Sequence, residues 1–204
     1  MPTIRDEKLN QIKKMYDSGM SVQDIATNIS VSLDAAYYFF RKHGIKRRGM
    51  VEARHFVYSR KKSSFKIKKR LSHKEKELKT AGVMLYWGEG SKWDGERVVD
   101  FANSNSEMIK IFLSFLRIIC GIKEDKVRIY LYCYSNQFPD KLIDFWSKEI
   151  NVPKSQFTKP YIRNDYNKNK TGKMKHGLIH IRYADKKLLN LIREWIKEYV
   201  VKFI

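Results

Sequence analysis

The sequence predicts an α+β protein in two units, a small all-helical one and a larger one that mixes helices and strands. Three observations predict it. Apolar residues recur at helical spacing through the first 47 residues, interrupted only by short turns. A stretch poor in apolar residues and rich in Lys and Arg follows. Beyond it, helical periods alternate with segments that alternate residue by residue, and all four Trp and three of the four Pro fall there. The expected boundaries are residues 1–47, a basic connector over 48–75, and a larger domain over 76–204. With 204 residues, 43% of them hydrophobic and 13% aromatic, the chain can bury two cores, which excludes wholesale disorder.

In the first unit, Leu9, Ile12, Met15 and Tyr16 mark one helical face, and Gly19 ends that helix. Ser21 caps a second helix, with Asp24 three residues on as its capping-box partner. Its buried face is Val22, Ile25, Ala26 and Ile29. Ser30 and Val31 make a short turn. Ser32 caps a third helix, which runs to His43 and stops at Gly44. Gln23-Asp24-Ile25-Ala26, Ile29-Ser30-Val31-Ser32 and Ala35-Ala36-Tyr37 together resemble a helix-turn-helix. Ala26 has to be small where the second and third helices cross. Ile29, Val31 and Ala36 fill the wedge between them. Ser30 stands at the turn position where Gly is commoner, because φ there can be positive.

The resemblance makes the third helix a recognition helix, with Ser32, Leu33, Asp34, Tyr37, Tyr38, Arg41 and Lys42 facing outward. The basic run Lys46-Arg47-Arg48 would continue toward phosphates. The alternative is an ordinary three-helix bundle used for protein contacts.

Charge points to a polyanionic partner. The formal net charge is +20, from 42 Lys and Arg against 22 Asp and Glu. A polyanion relieves the self-repulsion and releases counterions on binding. The segment from Arg41 to Lys79 alone holds 16 Lys and Arg and 3 acidic residues. Phe56, Tyr58, Phe65 and Ile67 within it suggest that part of the connector docks on a domain. An anionic membrane surface is the weaker alternative, since no apolar run approaches the ~20 residues of a spanning helix. Met1 to Asn10 is polar and lacks a signal-peptide core. The expected location is cytoplasmic, associated with the nucleoid. Cys120 and Cys133 sit in apolar segments and read as buried free thiols, and no Cys/His spacing resembles a zinc site.

The larger unit predicts helices over about 73–88, 106–120, 139–150 and 186–200, and strands over about 97–102, 127–134 and 177–183. Val127, Ile129, Leu131 and Cys133 share one face of the middle strand; Arg128, Tyr130, Tyr132 and Tyr134 share the other. With Arg97, His180 and Arg182, they would give the sheet a basic and aromatic face suited to nucleic acid. Asn103-Ser104-Asn105-Ser106 reads as a cap for the next helix. The polar segment 164–175 reads as a loop near phosphates.

Ala81-Gly82-Val83-Met84-Leu85-Tyr86-Trp87-Gly88-Glu89-Gly90-Ser91 is an apolar helix that ends in a glycine turn with a carboxylate at its C-terminal tip. The helix dipole already makes that end negative, so a cation is expected nearby. The stretch resembles the motif helix of the LAGLIDADG homing-endonuclease family, on Gly88-Glu89-Gly90 and on the order of elements over roughly 76–200. Trp87 and Met84 depart from the family's Asp and Gly; Ala81 and Gly82 offer small surfaces in a shifted register. The resemblance implies an αββαββα-type domain with a mostly antiparallel sheet, here with an extra helix. It makes Glu89 the metal-binding and catalytic carboxylate, with Mg²⁺ or another divalent cation as cofactor. It also implies a homodimer through the 76–88 helix and double-stranded DNA as partner.

By their chemistry Lys92, Lys159, Arg128 and Arg182 are candidates to stabilise a reacting phosphate, with Lys159 beside Glu89 as a catalytic group. The expected function is thus a site-specific, metal-dependent DNA endonuclease. The alternative is a non-catalytic regulator. A helix-turn-helix joined to a LAGLIDADG-like domain also resembles a bacterial sporulation-regulator family, where the two units come in the opposite order. RNA as the partner fits the charge equally well.

Overall fold

The computed structural model describes residues 4–50, 52–53, 62–166, 172 and 174–204. They form two compact units, Met1–Lys62 and Ser63–Ile204. The boundary lies ahead of the expected residue 76, so the later part of the cationic stretch belongs to the second unit. Residues 51 and 54–61, in the middle of the expected connector, lie outside the described residues, as do 167–171 and 173 of segment 164–175.

The first unit holds α1 (Leu9–Asp17), α2 (Val22–Asn28) and α3 (Leu33–Lys42). Local signals in the sequence set all three. The Ser21 side chain accepts from Asp24 N, and the Asp24 carboxylate accepts from Ser21 N at 2.9 Å, closing the capping box. Ser32 accepts from Ala35 N and starts α3. Between them Ser30 takes φ 55°, the left-handed turn expected there. Val31 N then donates to Ala26 O, locking the turn. Ile12, Ile25, Ala26, Ala36, Phe39 and Phe40 are buried together, and Phe40 meets Tyr16 edge to face at 4.9 Å.

The second unit is two-layered, with four helices on one face of a four-stranded sheet. Its helices are α4 (His73–Glu89), α5 (Ser106–Ser114), α6 (Pro139–Ile150) and α7 (Lys186–Phe203). Its strands are β1 (Val99–Asn103), β2 (Val127–Tyr134), β3 (Tyr161–Arg163) and β4 (Leu178–Tyr183), in the order β1-β4-β2-β3. β4 runs antiparallel to both β1 and β2, while β3 is parallel to β2. The sheet is therefore mixed, and the parallel edge strand was not expected. Three residues after Pro160 give too short an apolar pattern to read as a strand. The connection through α6 supplies the crossover that a parallel neighbour needs.

Val127, Ile129, Leu131 and Cys133 of β2 and Ile179, Ile181 and Tyr183 of β4 point into the core with Phe112, Leu116, Trp146 and Ile192. Both cysteines are free and buried there, and burial raises both thiol pKa values. The helix expected to run unbroken to residue 120 changes at Phe115 to a π-helical turn, Phe115–Ile119. Phe115 sits against Gly82 of α4, where a methyl would come within 2.6 Å of its Cδ1. The cap of α5 is Asn105, whose side chain accepts from Glu107 N and Met108 N.

Segment 63–71 is bound into this unit, which gives the expected docking of the connector a definite form. Phe65 bridges Ile122, Lys66 N donates to Cys120 O, and Lys68 N donates to Ile119 O. Gly121 (φ 56°) allows this, because a Cβ there would overlap the Lys66 carbonyl. The buried Asp185 carboxylate ties the segment to α7. It accepts from Ser64 N and Oγ at 2.9 and 2.8 Å, and from Lys187 N and Leu188 N at the start of α7.

Candidate nucleic-acid interface

The outward face of α3 is smaller than its sequence suggests. Ala36, Phe39 and Phe40 turn inward, which leaves Tyr38 and Arg41 exposed, Tyr38 at 58%. Arg41 has no side-chain hydrogen bond or ion pair among the described residues, and neither has Lys46. Lys42 is different, because its Nζ lies 2.8 Å from Asp6 Oδ1, with His43 Nε2 3.0 Å from the same oxygen. The hydrogen bond between them raises the Lys42 pKa and lowers that of Asp6. Lys42 therefore braces α3 against the start of the chain rather than extending from it.

Arg48 also departs from expectation. Its guanidinium lies 3.8 Å from the Tyr16 ring centroid and donates to the Met20 and Tyr16 carbonyls, while its backbone N–H donates to Tyr16 Oη. It closes the core of the first unit instead of reaching for phosphate. Arg47 lies 4.9 Å over the half-buried Tyr37 ring and remains exposed. The exposed surface here is Tyr38, Arg41, Lys46 and Arg47 on Tyr37, with the exposed Asp34 and the Ser32 cap at its N-terminal edge.

In the second unit, the face of the sheet opposite the helices carries Arg128, Tyr130 and Tyr132 of β2 and His180 and Arg182 of β4. Register aligns Arg128 with Arg182 and Tyr130 with His180. Arg97 is not among them. It lies in the loop before β1, its backbone N–H on Glu96 Oε1, and the strand starts only at Val99.

Two residues missed in the sequence change the face's character. Asp100 stands beside Arg182 in the register and puts Oδ1 2.8 Å from His180 Nδ1 and Oδ2 3.1 Å from Arg182 Nε. Arg182 also leans on the Tyr130 ring at 5.0 Å. Tyr161 of β3, which pairs with Tyr132, is 61% exposed. The alternation of Val99-Asp100-Phe101 carries the signal for Asp100: Arg97 has the parity of the core-facing Val99 and Phe101, so placing Arg97 on the polar face of this strand left Asp100 off it.

Glu89 is the last residue of α4 and is exposed. The cation anticipated at this helix end is Lys92, whose Nζ donates to Gly90 O at 3.1 Å and Gly88 O at 3.5 Å. Lys92 thus satisfies carbonyls at the helix C-terminus and offsets the dipole that Glu89 aggravates. Of the small residues in α4, Gly82 is filled by Phe115 of its own chain and cannot serve a partner helix, whereas the space beside Gly88 is open. Between this tip and α7 lies a cleft of about 510 Å³ lined by Trp87, Lys92, Asp94, Arg193, Glu194 and Lys197, whose charges are of both signs.

Glu89 and Lys159 are not brought together within one chain. A transverse row runs from Gly90 to Phe101, Ile181, Ile129 and Phe157. Four strand spacings of ~4.8 Å put the two ends ~19 Å apart. Glu89 adjoins one end and Lys159 the other. Among the described residues, no cluster of three or more His, Cys, Asp or Glu side chains is placed to hold a metal ion. One carboxylate backed by the Lys92 ammonium is a poor donor set for Mg²⁺, which favours several oxygen ligands. The described residues of a single chain do not by themselves fit the metal that the family resemblance implies. No described helix is long and apolar enough to cross a membrane.

Compared with models of protein families, with characterised proteins and with solved structures, the chain matches none.

Proposed function

We propose that this chain is a DNA-binding protein of two parts. The first unit acts as a helix-turn-helix, docking α3 in the major groove of a duplex, and the second, LAGLIDADG-like unit makes a further nucleic-acid contact through its open sheet face. The observation that carries this reading is the pairing on α3 of a buried face, Ala36, Phe39 and Phe40, with an exposed face of Tyr38 and an unpaired Arg41. The net charge of +20 supports a polyanionic partner. In a duplex titration by fluorescence polarisation, Arg41→Ala should weaken binding by about 5- to 100-fold if it reads a base, or reduce the salt slope by ~1 if it meets a phosphate. Unchanged affinity and unchanged slope together would remove α3 from the interface.

Non-catalytic binding, as in a transcriptional regulator, is the form that the Lys92–Gly90 contact favours, because an ammonium already serves the helix tip. The homing-type endonuclease is a second reading, supported by the exposed Glu89 and the open space beside Gly88. It requires a homodimer that brings two Glu89 carboxylates together. Its test is cleavage of supercoiled DNA carrying the native locus with Mg²⁺, wild type beside Glu89→Gln. Nicking that disappears in the variant supports the nuclease, and equal nicking by both chains removes Glu89 from any catalytic role.

A further inference from the structure

We infer that the open sheet face of the second unit binds unpaired nucleobases, stacking them on Tyr161 and the rings behind it, rather than entering a duplex groove. This rests on the reading of the chain as a nucleic-acid-binding protein. The first ground is that the arginines of this face already have partners. Arg182 is held by Asp100, with Glu96 3.9 Å away. Arg163 is paired with Asp165 through two contacts, 3.0 Å from Nε and 2.7 Å from Nη2. Arg128 Nη1 donates to the carbonyls of Asp125 and Val127 at 2.7 and 2.8 Å. Groove readout uses guanidinium and amide groups free to meet phosphates and base edges. Here Arg128 and Arg163 would first have to leave hydrogen bonds inside the protein, and Arg182 its ion pair with Asp100.

The second ground is the aromatic surface. Tyr161 leaves most of its ring in solvent, 5.1 Å from the Tyr132 centroid, and Tyr132 lies 4.8 Å from the His180 ring. The three rings run from the sheet edge inward across β3, β2 and β4. In a duplex the faces of the bases are covered by their neighbours, so an exposed tyrosine finds few partners. Unpaired bases offer their faces, and stacking on them tolerates any sequence. A strand lying along this edge also meets a cation for its backbone. Lys159, exposed two residues before Tyr161, has no side-chain partner among the described residues. That gives Lys159 a place in binding, in place of the catalytic one beside Glu89.

The test uses the full chain and three labelled probes of about 15 nucleotides: single-stranded oligo-dT, the matching oligo-U, and a mixed-sequence duplex. Polarisation titrations compare wild type with Tyr161→Ala and Tyr161→Phe at one salt concentration. A 2-aminopurine within the single-stranded DNA probe reports stacking through its emission. Tyr161→Ala should lose about 5- to 100-fold in affinity for a single-stranded probe and the emission change with it, while Tyr161→Phe keeps both. Duplex affinity should stay within about twofold for both variants, since it is carried by α3.

The two single-stranded arms show whether DNA or RNA supplies the bases, and either result supports stacking. The inference is overturned if Tyr161→Ala binds single strands as wild type does, or if it loses duplex and single-strand affinity by the same factor. Arg41→Ala in the same series separates the two ideas. If it leaves duplex binding intact, the helix-turn-helix reading fails while loss of single-strand affinity in Tyr161→Ala still supports the sheet face.

Discussion

A methyl group added at two glycines of α4, six residues apart, should move stability in opposite directions. Both are helical and neither has a positive φ, so Ala is compatible with the backbone at each site. Intrinsic propensity favours Ala over Gly by about 1 kcal/mol in a helix interior. At Gly88 nothing lies within 4 Å of the new Cβ, so that gain should appear nearly undiminished as about 0.5–1 kcal/mol. At Gly82 the new Cβ would overlap the Phe115 ring. Phe115 cannot retreat, because it is fully buried with Phe112 5.8 Å and Trp195 6.1 Å away. Overpacking of this kind costs about 1–3 kcal/mol, and a ring with no room to move belongs at the upper end.

After the propensity gain is subtracted, Gly82→Ala should be destabilising by about 2 kcal/mol. At roughly 3–4 °C per kcal/mol for a unit of this size, Tm should fall by about 6–8 °C in Gly82→Ala and rise by about 2–3 °C in Gly88→Ala. Thermal unfolding followed by calorimetry at one low protein concentration reads both. A Gly82→Ala chain as stable as wild type would refute the tight seating of Phe115. A destabilised Gly88→Ala would show that the open face is covered, as it would be by a second copy of α4.

Further outcomes test other parts of the structure. Arg48→Ala should destabilise the first unit by about 2–3 kcal/mol for a lost cation–π contact and charge-assisted bonds, read as a lower unfolding temperature, whereas Arg41→Ala should leave it unchanged. Asp185→Ala should destabilise the second unit by about 2–4 kcal/mol in chemical denaturation, because it removes the α7 cap and leaves the buried Ser64 N–H without its acceptor. Ellman's reagent should leave Cys120 and Cys133 unmodified in the native chain and titrate both after unfolding, since burial keeps them protonated.

The Lys68 hydrogen bond, with help from Ser72 N, holds the Glu75 pKa below its ordinary 4.5. A lowered folded-state pKa means the contribution is present above pH 4.5 and is lost as pH falls through the folded value. Acid should therefore release the N-terminus of α4, seen as loss of exchange protection at the Ser72 amide, and Glu75→Gln should remove that pH dependence.

Much of the fold was legible in order along the chain. The capping box at Ser21, the alternation over Val127–Tyr134 and the Pro139 start of α6 depend on residues within a few positions of one another, and those local rules hold wherever the segment lies. The turn at Ser30 was legible for the same reason. The sequence by itself determined the α+β class, the helix-turn-helix-like spacing near its start, and a strongly positive net charge.

Only the tertiary structure decided which of those charges have partners within the chain. Lys42 is spent on Asp6, 36 residues away in sequence, and Arg48 on Tyr16, 32 residues away. Asp100 reaches Arg182 and His180 only because β1 and β4 are paired. Glu89 and Lys159 fall at opposite ends of a five-residue row across the sheet, a separation that composition and spacing cannot express. Periodicity fixes which face a side chain takes, because a helix or strand repeats locally. The partner a side chain meets depends on long-range packing, which places residues far apart in the chain within a few ångströms and leaves Arg41 and Tyr161 facing solvent.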